Sequence, residues 1–276
     1  MKQNPFSLYD FMGYFIPGAT VLYLLEIVSI VQENTIVDLE KVVTSFPSVG
    51  IEAILIFLIF SYILGHILSY VSSITVEKYA VWKYGYPSKY LLNITQKSFW
   101  HSDSKFYFVF WRFFLILLLF PTVVFDYFLG QWFGLKKFYS SKLDPTLVKL
   151  IRQKVKILLK SIGMTSNNGF DDVCEINVDF NRIILHYTYE NSKNHQQRLE
   201  NYVAIFGFLR TFNLISNLLF WYLIGYTIFS DSYGNSLFTI ILIVSIVSYL
   251  FFMAFMKFYR RYTLEGLMII AVDKEL

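Results

Sequence analysis

The chain has 276 residues, 55% of them hydrophobic and 20% aromatic, with only 16% charged and a formal net charge of +4. That balance excludes an ordinary soluble surface, makes a bilayer the natural solvent, and argues against nucleic acid as a partner. Cys174 is the single cysteine, so an intrachain disulfide and a cysteine-based zinc site are excluded, and the thiol is read as an inert packed residue.

The apolar residues fall in five blocks of about twenty, the length a helix needs to cross roughly 30 Å of hydrocarbon. They are Leu8 to Val31, Ile51 to Ile74, Phe106 to Leu129, Thr211 to Phe229 and Leu237 to Met256. The first opens after one lysine, Lys2, and lacks a short apolar core followed by a small-residue cleavage site, so it reads as a retained span. Pro17 and Gly18 should bend it, and Glu26 lies near its outer end. In the second block Tyr62, His66, Ser69 and Ser73 form a polar stripe. They flank small residues at four-residue spacing, Ser61, Gly65, Ser69 and Ser73, which suit close helix packing.

The third block carries Arg112, Pro121 and Asp126, and basic residues between the blocks decide whether it crosses. If all five blocks cross, the best orientation puts 16 of these basic residues inside and 6 outside; if the third returns to the side it came from, the split is 21 to 1. Pro121 favours a bend in mid-segment, and Arg112 and Asp126 near the two ends can then reach one interface. The block is therefore expected to be a re-entrant or interfacial hairpin, with a prolyl kink in an ordinary span as the rival.

The expected fold class is all-α: a polytopic helical membrane protein of four spans plus this hairpin, with a small cytoplasmic helical segment. Residues 1–130 form the membrane part, 131–200 the cytoplasmic segment, and 201–276 a membrane hairpin with a cytoplasmic tail. In the segment, "LDPTLVKLIRQKVKILLKSIG" carries Asp144 as N-cap, Pro145 at the first helical position and a stop at Gly163. Leu147, Ile151, Val155, Leu158 and Ile162 share one face, and Lys149, Arg152, Lys156 and Lys160 another. That basic face suits either anionic headgroups or solvent. After a turn at "SNNG", "FDDVCEINVDFNRIILHYTYEN" has helical spacing, although Ile176, Val178 and Phe180 would also suit a strand. "NSKNHQQ" reads as a polar connection into the fourth span.

In that span Arg210, Asn213 and Asn217 lie within a narrow arc. Ionisable and polar groups at membrane depth are costly, so Glu26, Tyr62, His66, Arg210, Asn213 and Asn217 are the candidate intramembrane polar seam. The bland readings are a hydrogen-bonded packing role for His66 and snorkelling for Arg210 and Glu26. HExxH, GxSxG and a phosphate-binding glycine loop are all absent, and His66, His101, His186 and His195 have no metal-ligand spacing. No catalytic residue, metal or cofactor is expected, and the chain is read as non-enzymatic.

"YDFMGYFIPGA", "SYILGHILS" and "YVAIFGFLRTFNL" resemble strings in a family of poorly characterised bacterial inner-membrane proteins. The resemblance implies a bacterial inner-membrane location and brings no activity with it, while the count of basic residues with four spans is what places both termini on the cytoplasmic side. The architecture also resembles membrane effectors of phage defence. The expected function is a self-associating protein that alters membrane permeability in response to a cytoplasmic signal, ligand or protein partner. A channel or transporter subunit using the polar seam is the alternative, and an intramembrane enzyme acting on lipid the third reading.

Overall fold

The computed structural model describes residues 10–33, 51–94, 106–163, 180–229 and 235–274, and every regular element among them is helical. Three helices are long and apolar enough to cross a membrane: Ile51–Leu91, His195–Phe229 and Leu237–Val272. A fourth candidate is the pair Phe106–Leu118 and Phe120–Trp132, bent by 89°. These features define the class, a polytopic helical bundle of the membrane type.

A π-helical turn, Phe11–Phe15, leads into α1, Ile16–Glu33. Pro17 has no N–H to offer the carbonyl four residues back, and the helix widens just ahead of it. The apolar stretch of this first helix is Phe11–Ile27, shorter than the three long helices. Next come α2, Ile51–Ser72, a π-turn at Ser73–Glu77, α3, Lys78–Tyr84, and α4, Pro87–Leu91. The chain turns at Gly85, whose φ of 89° disfavours a side chain.

The small-residue face of α2 is an intrachain contact. A Cβ on Gly18 would lie 1.8 Å from the Ser61 carbonyl oxygen, and one on Gly65 1.8 Å from that of Tyr14. Two backbones thus touch where side chains are absent. Ser61 and Gly65 face the first helix, whereas Ser69 offers its carbonyl to Arg210 on another helix, and the Ser73 hydroxyl bonds its own helix at the Tyr70 carbonyl.

The two limbs of the bent pair are α5, Phe106–Leu118, and α6, Phe120–Phe125, which continues as a π-helix, Asp126–Trp132. The bend is at Leu119, two residues before Pro121. The indole N–H of Trp221 donates to the Leu117 and Leu118 carbonyls, 3.1 Å from each, at the point where proline removes a helical donor. Beyond the limbs, a 3₁₀ turn, Leu135–Phe138, leads to α7, Pro145–Ser161. The Asp144 carboxylate accepts the Thr146 N–H at 2.8 Å, and this bond holds its pKa below the ordinary carboxylate value.

The last helices are α8, Phe180–Asn191, α9, Lys193–Phe229, and α10, Asn235–Val272. Much of the expected polar connection is thus the first turn of α9, a 37-residue helix roughly 55 Å long. The helix-or-strand choice for 170–191 resolves to helix from Phe180 onward; "SNNG", Cys174, Ile176 and Val178 lie outside the described residues.

Two cores result. One gathers Val76, Tyr79, Leu115, Leu214, Tyr249 and Phe252 from the apolar rods and the bent pair. The other gathers Leu91, Ile151, Val155, Ile184, Leu267 and Ile270, so the head draws on the ends of the rods as well as on residues 131–200. Within it α7 lies alongside α10: Arg260 donates to the Ser141 carbonyl, and Lys154, thirteen residues on, donates to that of Asp273, equally far on. Lys149, Lys156 and Lys160 are exposed, but Arg152 turns inward to the Leu92 carbonyl at 2.8 Å. Of the apolar face, Ile151, Val155 and Leu158 are buried in this core, while Ile162 at its end is exposed.

Candidate functional site

Among the described residues three polar groups sit between the rods, and the bent pair contributes to two of them. Nearest the bend is a network of four buried side chains. Asn213 Nδ2 donates to Thr122 Oγ1 at 2.9 Å and to the Ser248 carbonyl at 2.8 Å. Asn217 Nδ2 donates to the Asn213 carbonyl at 2.7 Å and to Ser248 Oγ at 2.9 Å, and the Thr122 and Ser248 hydroxyls are 2.6 Å apart. A buried amide left without partners would cost several kcal/mol in hydrocarbon, and here each finds them on α6 and α10.

Further along α9, Arg210 forms an ion pair with Glu77, while its Nε donates to Ser72 Oγ at 3.0 Å and Nη2 to the Ser69 carbonyl at 3.3 Å. Its planar fork serves three acceptors on the first of the three rods, Ile51–Leu91, a set that one ammonium does not match. The Tyr259 hydroxyl reaches the other Glu77 oxygen at 3.5 Å, which ties in the third rod.

The third group surrounds Asp126, which is fully buried and paired with Lys83. Three tyrosine hydroxyls donate to its carboxylate: Tyr84 at 2.7 Å, Tyr139 at 2.6 Å and Tyr79 at 3.3 Å. Gly130, one turn on, leaves the room these groups fill, since a Cβ there would stand 2.7 Å from Asp126 Oδ1 and 2.8 Å from the Tyr139 hydroxyl. Burial, and then the Asp126 carboxylate, push the Tyr139 phenol well above its ordinary pKa, so it remains a donor. The expectation that Asp126 reaches an interface beside Arg112 is corrected here: its charge is satisfied inside the protein. Arg112 instead lies over the Trp82 ring, 5.1 Å from its centroid.

The candidate seam residues are therefore distributed. Arg210 and the pair Asn213 and Asn217 occupy neighbouring groups on α9. His66 stacks on Tyr14 with centroids 3.8 Å apart and Tyr62 meets it edge-on at 4.6 Å, while Glu26 is exposed. Glu77, Lys83, Thr122, Tyr139 and Ser248 are site residues that sequence reasoning missed, and Asp126 is one that it assigned to an interface. The only local signals were a carboxylate just past an apolar block, Glu77, and one inside another, Asp126.

An apolar cavity of ≈ 380 Å³ lies apart from these groups, lined by Phe11, Phe15, Leu58, Ile59, Tyr62 and Ile63 together with Asp10. Among the described residues no three His, Cys, Asp or Glu side chains are grouped as a metal ion requires. No protein-family model, no curated protein and no solved structure matches the chain.

Proposed function

We propose that the protein is a non-enzymatic, self-associating component of a bacterial inner membrane that alters permeability when its cytoplasmic head receives a signal or partner, as a phage-defence effector would. In this reading the first helix and the three rods cross the bilayer, and both termini and the head lie on the cytoplasmic side. The bent pair enters and leaves on that side. From Arg210 to Trp221 is eleven residues, roughly 16 Å of helix, so the tip at Leu119 sits near the middle of a bilayer about 30 Å thick.

The observation that carries the reading is the continuity of the rods. Leu237–Val272 runs unbroken from the apolar core, at Tyr249 and Phe252, into the head core, at Leu267 and Ile270, and Ile51–Leu91 joins the same two cores through the turn at Gly85, so a shift of the head moves the membrane part with it. The polar groups where the bent pair meets these rods are its hinges, and their hydrogen-bonding atoms would line a passage opened between subunits. Four spans enclose little volume, and self-association supplies the rest.

The test is membrane potential and potassium efflux in cells that carry the gene with its native neighbours, before and after the stimulus. Stimulus-dependent depolarisation is expected, absent in Arg210→Ala and weakened in Arg210→Lys at equal membrane insertion. An intact potential in wild-type cells that show the phenotype would remove the permeability reading.

A further inference from the structure

Immediately after the bent pair the chain exposes three large aromatic side chains, Trp132 at 76%, Phe133 at 73% and Phe138 at 73%. Between them stand Lys136 and Lys137, both exposed, and among the described residues neither is paired with a carboxylate. Basic neighbours are engaged elsewhere: Lys83 with Asp126, Lys142 with Asn93 and Arg260 with the Ser141 carbonyl. The turn is fixed by its own backbone. Gly134 begins it at φ 72°, the Lys137 N–H reaches the Gly134 carbonyl at 3.1 Å, and the Ser140 N–H and hydroxyl both donate to the Lys136 carbonyl.

We propose that the turn from Trp132 to Phe138 is a binding site for anionic phospholipid, with Trp132, Phe133 and Phe138 at the acyl-chain boundary and Lys136 and Lys137 on the headgroup phosphate. Three exposed aromatic rings are unfavourable in water and favourable at a headgroup boundary, where the polar edge of an indole meets water and its body meets hydrocarbon. The turn directly continues the apolar limb that ends at Trp132, so the rings prolong a surface that faces lipid. Two exposed ammonium groups beside them match an anionic headgroup and give a zwitterionic one no advantage. Tyr139, the next residue, donates to Asp126, so a lipid held by the turn is linked through one side chain to the hairpin. The inference rests on the membrane placement of the rods and not on their permeability role.

The test is native mass spectrometry of the full chain, purified in mild detergent and equilibrated with equal amounts of phosphatidylglycerol and phosphatidylcholine. The wild type is expected to retain phosphatidylglycerol in roughly tenfold preference, the effect of two surface lysines partly screened. K136Q/K137Q should bring retention to parity, and K136R/K137R should preserve the preference, which separates charge from fold. K149Q/K156Q/K160Q should leave it unchanged, and W132A/F138A should lower retention of both lipids. A wild type without preference, or a K136Q/K137Q variant that keeps it, would overturn the site. So would loss of preference in K149Q/K156Q/K160Q. The readout is lipid retained, so the site and the permeability reading can fail separately.

Discussion

Trp221 supplies to Leu117 the hydrogen bond that Pro121 withholds. In an α-helix the Leu117 carbonyl would accept from residue 121, but proline has no N–H there, and the indole Nε1 on α9 donates from 3.1 Å instead. Inside a bilayer a free carbonyl would have no water to turn to, so a neighbouring helix that completes the bend would stabilise it.

Trp221→Phe keeps most of the ring and removes the donor, and should destabilise the bundle by about 1 kcal/mol, the size of a membrane hydrogen bond. Pro121→Ala returns a backbone N–H to Leu117, so the cost of Trp221→Phe should shrink in that background. Unfolding in mixed micelles for the four members of this cycle measures the coupling. Equal costs in both backgrounds would mean that the indole bond does not serve the proline gap.

Gly18 and Gly65 fix the distance between the first two helices. Because an added Cβ at either would meet backbone oxygen at 1.8 Å, Gly18→Ala or Gly65→Ala must push the helices apart, at a cost of about 1 to 3 kcal/mol. Gly207 has nothing within 4 Å of its Cβ position, and Gly207→Ala should be neutral or stabilising by up to about 1 kcal/mol. Thermal aggregation midpoints in detergent for the three variants check the ordering.

The apolar blocks were legible because a span needs about twenty residues whatever it packs against. The stripe of Asn213 and Asn217 was legible too, since helical spacing alone places them on one arc. Their partners were not: Thr122 and Ser248 come from separate segments, and nothing local marks a hydroxyl as the one that meets an amide. Asp126 misled for a related reason. Its position near a block end suggested an interface, while Lys83, Tyr84 and Tyr139 converge on it from both sides of the block. Polarity also hid the start of α9, because a helix that has left the apolar region carries polar side chains as readily as a loop does.

Asp126 holds the second limb of the bent pair and the following turn to the first rod, and its variants should show this in graded form. Asp126→Asn retains an acceptor for the tyrosines and loses the ion pair; Asp126→Ala loses both. Breaking a buried pair costs about 3 to 5 kcal/mol, and the low end applies because the Lys83 side chain is 17% exposed. Tyr139→Phe should cost about 1 kcal/mol. Limited trypsin digestion gives a local reading: release of Tyr139 frees the turn, so cleavage after Lys136 and Lys137 should accelerate most in Asp126→Ala and least in Tyr139→Phe. Uniform acceleration at distant sites would point to general unfolding instead.

The bent pair makes a topological prediction that a straight span would reverse. Arg112 on its first limb lies over Trp82, and Asp126 on its second pairs with the adjacent Lys83, so both limbs come back to one turn of the first rod. An uninterrupted helix from 106 to 132 would be roughly 40 Å long and would place its ends on opposite faces of the bilayer. In a Cys174→Ala background, single cysteines at Ser104, before the first limb, and Ser140, after the second, should therefore both be shielded from a membrane-impermeant thiol reagent applied outside intact cells. Both should label after the cells are opened. Ser232→Cys, in the stretch joining α9 to α10, should label from outside. Among the described residues the Ser140 hydroxyl bonds to its own turn at Lys136, so the substitution leaves the groups around Asp126 in place. Labelling of Ser140→Cys but not Ser104→Cys from outside would make the pair a kinked fifth span and reverse the side assigned to the head.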